Sequence, residues 1–275
     1  MYIQTNNELL TYIPNVFASA VGENPLYDKI QKFLSQAELW INTAICSHAV
    51  YGNLVSDGRT EDVELIKRIE ALDGYLRAIP FIDLVLTPNG FGVVSNQNVA
   101  PASKERVANL RAQATIERDM AIDQLVRNLH GYQTWCDSPQ GKRIGLTVIQ
   151  SLDVAIECGE PNASFLFFLK NQREMQGVQR MIAINFVSEP IMNRLCHNLL
   201  YATVTDVERP LIEMIHEFII GSLKEDQQKH EDLDEMVNYI KKNIQDFPEW
   251  ESSDTALLFN DYSFKNEKES KGFWF

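Results

Sequence analysis

The chain has 275 residues, 45% of them hydrophobic, and carries a formal charge of −13 with a pI near 4.9. That length and composition supply a substantial core, while a surface of that sign repels phosphate backbones and argues against tight, broad-face DNA or RNA binding. No apolar run reaches the ~18–20 residues that a membrane-crossing helix needs.

Cys46, Cys136, Cys158 and Cys196 are widely scattered, and Met-Tyr-Ile-Gln-Thr-Asn-Asn-Glu at the start lacks the basic opening and apolar stretch of a signal peptide. Both point to a reducing, cytoplasmic setting without disulfides.

Taken in chain order, Glu8-Leu-Leu-Thr-Tyr-Ile stopped by Pro14 predicts a short helix or arm. From Pro25 a longer helix is expected, with Leu34, Ala37, Ile41, Ile45 and His48 on one face, running to Tyr51 and broken by Gly52 and Asn53. Glu61 to Arg77 repeats the pattern through Leu65, Ile69, Leu72 and Leu76, and Pro80 ends it.

Phe81 to Leu86, Pro88-Asn89-Gly90 and Phe91 to Val94 then read as strand, turn and returning strand, a β-hairpin over 82–95. Ser103 caps a long helix lined by Val107, Leu110, Ala114, Ala121, Leu125 and Leu129, with Arg111, Glu117, Arg118 and Asp123 facing solvent.

Tyr132 to Arg143 is rich in turn residues. Ile144 to Ile156 satisfies neither the helical nor the strand period, and is read as a helix with a strand pair as the alternative. Cys158-Gly-Glu-Pro-Asn-Ala-Ser164 marks a break between two lobes, 1–158 and 159–250, of one globular unit. Helices are expected over Phe165 to Val187 with an interruption at Gly177, over Pro190 to Tyr201, after Asp206-Val-Glu-Arg-Pro210, and around Leu233, Val237, Ile240 and Ile244. Residues 251–275 form an extended tail ending in Gly272-Phe-Trp-Phe275, whose aromatics should dock on this chain or on a neighbour. The fold class is therefore mainly α: a multi-helix bundle of two lobes with one inserted β-hairpin and a C-terminal tail.

Chemistry finds little purchase. Glu213-Met-Ile-His216 has the spacing of helical di-iron ligands, but no other histidine has a glutamate three residues before it. Cys46 with His48 and Cys196 with His197 have the wrong spacing for common zinc modules. Gly90-Phe-Gly92 lacks the third glycine of a dinucleotide loop, since position 95 is Ser. No catalytic residue, cofactor or metal is assigned.

The stretch Asp83-Leu-Val-Leu-Thr-Pro-Asn-Gly-Phe-Gly-Val-Val-Ser-Asn-Gln-Asn-Val-Ala-Pro-Ala-Ser-Lys-Glu-Arg-Val107 resembles an uncharacterised family of Bacteroides-type bacteria, their prophages and related phages. Tyr12-Ile-Pro-Asn15, Gly22-Glu-Asn-Pro-Leu-Tyr-Asp-Lys29, Phe33-Leu34, Ala37-Glu-Leu-Trp40 and Gly272-Phe-Trp-Phe275 follow the same family's pattern. The resemblance implies a non-enzymatic virion protein, a head-tail connector or adaptor made in host cytoplasm and then incorporated into the virion. Its partners would be further copies of itself, in a ring or another oligomer, and other virion proteins, with neither membrane nor tight nucleic-acid binding. The candidate interface is Leu84, Leu86, Asn89, Gly90, Phe91 and Val93, with Phe273, Trp274 and Phe275. Two readings stay open for the hairpin, a flap on its own helices or an edge offered to a neighbour. The competing function is a helical enzyme or ligand-binding protein with a site between the lobes.

Overall fold

A computed structural model describes residues 1–13, 24–82, 84–87, 90–93, 103–225 and 230–259. Among them are α1 (Asn6–Tyr12), α2 (Leu26–Ala44), α3 (His48–Ser56), α4 (Thr60–Ala78) and α5 (Lys104–Leu129). There follow α6 (Gln133–Cys136), α7 (Pro139–Ile144), α8 (Asp153–Glu157), α9 (Ser164–Ile182), α10 (Glu189–Leu200), α11 (Glu208–Leu223), α12 (His230–Lys242) and α13 (Asp254–Leu257).

The first half is organised on α2, α4 and α5. In α2, Leu26, Ile30, Leu34, Ala37 and Ile41 recur every three or four residues and are all buried, the stripe that an amphipathic helix lays on a core. Helix α4 crosses it where a Cβ on Gly74 would come within 2.6 Å of Leu34 Cδ2 and 3.1 Å of its Cα, so glycine permits that approach. Helix α5 runs antiparallel to α4, as the partners Asp62 with Asn128 and Asp73 with Arg118 show. With 26 residues it is about 39 Å long. Ser103 caps it as expected, its side chain accepting from Arg106 N at 3.3 Å.

Several local expectations are corrected. The helix from Pro25 stops at Ala44, and Ser47 starts α3 by accepting from Val50 N at 3.4 Å. A good cap outweighs the roughly 1 kcal/mol cost of interior glycine, so α3 runs through Gly52 and Asn53. Gly177 likewise lies inside α9 without interrupting it. The Ile144 to Ile156 stretch is neither one helix nor a strand pair: between α7 and α8 the chain is irregular yet buried at Thr147, Val148, Ile149 and Gln150. Side-chain amides take the place of regular backbone pairing there. Gln179 of α9 accepts from Val148 N at 2.8 Å and donates to Leu146 O at 3.0 Å. Gln150 donates to Thr147 O and to Cys196 O, each at 3.0 Å.

The fold-class expectation is corrected as well. The architecture is helical, about 75% of it, and the β-hairpin insert is not a module of the fold. What the described residues show at that place is a ladder of four pairs between β1 (Leu84–Thr87) and β2 (Gly90–Val93), which joins no larger sheet. Such a pair is marginal by itself, and Gly90 and Gly92 bring no side chains to stabilise it. One apolar cluster includes Ile45, Leu125 and Trp135 before the Cys158–Ser164 stretch and Phe168, Leu195 and Ile240 after it. A smaller cluster of Ile3, Leu9, Leu26, Leu34 and Tyr75 holds the N-terminal end together. The expected tail from 251 is folded at least to Phe259, with Thr255 and Ala256 buried; the remainder lies outside the described residues.

Between α9 and α10 the chain passes through a π-helical turn, Ala183–Val187, closed by Ser188 N donating to Ala183 O at 2.9 Å. Wide turns free carbonyls, and Thr255 Oγ1 donates to Ile184 O at 3.0 Å and lies 3.4 Å from Ala183 O. Buried Ser188 sits at φ 79°, ψ 145°, a conformation of order 1–3 kcal/mol above the usual ones for a residue with a Cβ. Its compensation is weak, an Oγ accepting from Ile191 N at 3.5 Å. Ser188→Gly is therefore expected to leave the thermal midpoint unchanged or raise it, while Ser188→Ala, which keeps the strain and loses the cap, should cost about 1 kcal/mol.

Candidate interaction surface

The α4–α5 layer ends in a turn whose sequence forces apolar groups outward. Pro80 follows the last residues of α4, and Ile79–Phe81 tighten into a 3₁₀ turn. Phe81 is left 58% exposed and Ile82 44% exposed. Phe81 is nonetheless held, because Phe33 of α2 stacks on it with ring centroids 5.4 Å apart and planes 20° from parallel. Phe33 in turn packs on the smaller core cluster. The first turns of α5, from Lys104 to Gln113, bury no residue completely, and only Val107 and Leu110 are half-buried.

Of the predicted interface residues, Leu84 and Leu86 lie on β1 and Gly90, Phe91 and Val93 on β2, in a register that pairs Leu84 with Val93 and Leu86 with Phe91. They continue directly from Phe81 and Ile82. Asn89, Phe273, Trp274 and Phe275 lie outside the described residues. The exposure of Phe81 was not legible in the sequence, where it reads as the first residue of a strand.

Beneath this end lies a buried charge network centred on Arg118, which the sequence reading placed in solvent. Arg118 Nη1 donates to Asp73 Oδ1 at 2.9 Å, and its Nε and Nη2 donate to Asp119 Oδ1 at 3.0 and 2.8 Å. Arg77 Nε donates to Asp73 Oδ2 at 2.6 Å. Asp119 Oδ2 accepts from Phe165 N at 3.1 Å, capping the start of α9 from α5. The guanidinium lies 5.5 Å from the Trp40 ring centroid, and Trp40 meets Phe165 edge-on. Four helices, α2, α4, α5 and α9, are thereby fixed to each other.

A second buried carboxylate behaves differently. Glu70 Oε2 accepts from Ile3 N at 2.6 Å, while Oε1 is buried without a partner. Burial pushes its pKa up to about 7, against the opposing effect of the Ile3 hydrogen bond and the nearby amino group. A raised pKa means that the folded state holds the proton more tightly. Glu70 therefore contributes most below about 4.5, and that contribution fades as pH rises through about 7, by on the order of 3 kcal/mol. Glu70→Gln should flatten the fall in stability over this window in urea titrations; an unchanged slope would contradict the assignment.

The other candidate ligands are not brought together. His216 Nε2 faces Glu157 at 3.3 Å, and Glu213 is exposed. Cys46 and Cys196 are buried, which pushes their thiols up to about 12 and about 11. Among the described residues no group of His, Cys, Asp and Glu has the arrangement of a metal site, and no helix is long and apolar enough to cross a membrane. An open cleft of about 560 Å³ lies among Tyr12, Ile13, Glu61, Glu64, Arg68 and Glu117. Another, of about 440 Å³, lies at the π-helical turn between Ile184, Ser188, Pro190 and Ser252 to Thr255.

Residues 14–145 match the model of DUF6712, a family of unknown function. This segment, just under half of the chain, spans α2 to α7 and includes the Phe81–Ile82 end and the Asp73–Arg118–Asp119 network. No curated protein and no solved structure matches the chain.

Proposed function

We propose, for a chain whose residues 14–145 carry a domain of an uncharacterised family, that it is a non-enzymatic assembly protein, a head-tail connector or adaptor of phage or prophage virions. The observation that carries the reading is the Phe81–Ile82 pair. An aromatic and a branched aliphatic side chain stand largely in water at the end of a rigid helical layer, and Phe33 holds the ring in place. Aromatic anchors preorganised in this way are what protein interfaces use for most of their binding energy. Leu84, Leu86, Gly90, Phe91 and Val93 follow next in the chain. The partners are further copies of the chain and neighbouring virion proteins.

The charge of −13 agrees with this reading. A conduit for DNA works best when its wall does not capture phosphate. Negative-stain microscopy of the purified protein, alone and with the products of neighbouring genes, tests it. Rings or co-assembled particles are expected, whereas a monomer that joins none of them and instead retains a small molecule in one of its clefts would favour the ligand-binding alternative.

A further inference from the structure

The α4–α5 layer carries opposite charge toward its two ends. Because Asp73 meets Arg118 and the helices run antiparallel, the last residue of α4, Ala78, comes level with Gln113 of α5. Residues 104–112 therefore run past the end of α4, about 13 Å of helix. Lys104, Arg106 and Arg111 are exposed on this projecting end, with Glu105 the opposing charge, and none of the three cations has an ion-pair partner among the described residues. The end is thus basic on a chain whose net charge is −13. Toward the other end of the layer, the open cleft of about 560 Å³ is lined by Glu61, Glu64 and Glu117 against one cation, Arg68. Arg68 lies 3.5 Å from Glu117, and the neighbouring Lys67 is held by Glu8 at 2.7 Å and Glu64 at 3.4 Å, so the cleft stays acidic in balance. We propose that the projecting end of α5 in one copy of this chain docks into the cleft of Glu61, Glu64 and Glu117 in a second copy.

The two surfaces cannot meet within one molecule. One continuous helix separates Arg106 from Glu117 by about 16 Å, so another copy must supply the cleft. The cleft also suits such side chains, because lysine and arginine carry apolar stems beneath their charged heads, and Tyr12, Ile13 and Leu65 lie beside its carboxylates. Charge complementarity of this kind selects the partner and orients it. A contact between two different surfaces is heterologous, and it closes into a ring or extends into a filament. The inference rests on the reading of the chain as an assembly protein and names the surfaces that meet.

Mass photometry of two charge-reversed proteins tests it. One carries Arg106→Glu with Arg111→Glu on the projecting end, the other Glu61→Lys with Glu64→Lys in the cleft, all at exposed positions. Each alone is expected to need at least about tenfold more protein than the wild type to assemble, with an unchanged melting temperature. Mixed in equal amounts the two should assemble again, because each end then finds a cleft of opposite charge in the other protein. Wild-type assembly should also weaken between about 0.1 and 1 M salt, where the screening length falls from about 10 to 3 Å, a measurement that needs no variant. Variants that assemble like the wild type, a mixture that stays dissociated, or assembly indifferent to salt overturns this contact and leaves the assembly reading standing. A wild type that is monomeric at every concentration overturns both.

Discussion

Asp119→Ala is expected to lower the unfolding free energy by about 3–5 kcal/mol, the range for removing one partner of a buried ion pair. Asp119 is 1% exposed and serves two neighbours at once. Without it, Arg118 keeps only Asp73, and Phe165 N, near the start of α9, loses its acceptor. A buried unsatisfied donor adds its own desolvation cost. Asp119→Asn should be milder, since an amide oxygen still accepts from Phe165 N. Urea denaturation at neutral pH reads the effect as a fall in midpoint at constant slope. A loss below about 1 kcal/mol, the value for an exposed pair, would show that the network does not fix the four helices.

Gly141→Ala is expected to be comparably damaging for a steric reason. A Cβ there would stand 2.2 Å from Trp135 O and 2.9 Å from Trp135 C, both backbone atoms that no rotamer change can move. Trp135 has no room to yield. It is fully buried, donates from Nε1 to Ile45 O at 2.9 Å, and meets the His130 ring edge-on. Overpacking of this kind costs about 1–3 kcal/mol and more where the backbone must shift. Gly177→Ala is the control: nothing lies within 4 Å of its Cβ position inside α9, so the change should stabilise by about 0.5–1 kcal/mol. Thermal melts of the two variants should move in opposite directions, and a shared direction would contradict the packing described here.

Parts of the molecule legible in the sequence were those with one dominant physical signal. The stripes of α2, α4 and α5 and the Ser103 cap emerged because apolar spacing and capping chemistry act over a few residues. The segment between Gly145 and Leu152 was not legible, because its backbone is satisfied by Gln150 and by Gln179, a residue about thirty positions away. Periodicity carries no trace of such a partner. Arg118 misled for a related reason: on α5 it lies among other charged residues, and only the approach of α4 and α9 turns it from a solvated side chain into the centre of a buried network. The hairpin signal at Pro88-Asn89-Gly90 was strong locally, yet among the described residues its ladder has two strands and joins no larger sheet.

At the candidate surface, the sequence reading did not single out Phe81 and Ile82. Turn chemistry drew attention to Leu84 through Val93, while the exposed Phe81 and Ile82 lie just before them, where α4 ends. Their exposure depends on where α2 places Phe33, a contact across almost fifty residues of chain.

The most direct test is the native mass of the purified protein beside that of the double variant Phe81→Asp, Ile82→Asp, by mass photometry at matched concentration. The wild type is expected to form a multi-subunit species that the variant loses while its circular dichroism and melting temperature stay the same. Two monomers, or two identical oligomers, would contradict assembly through this end of the fold.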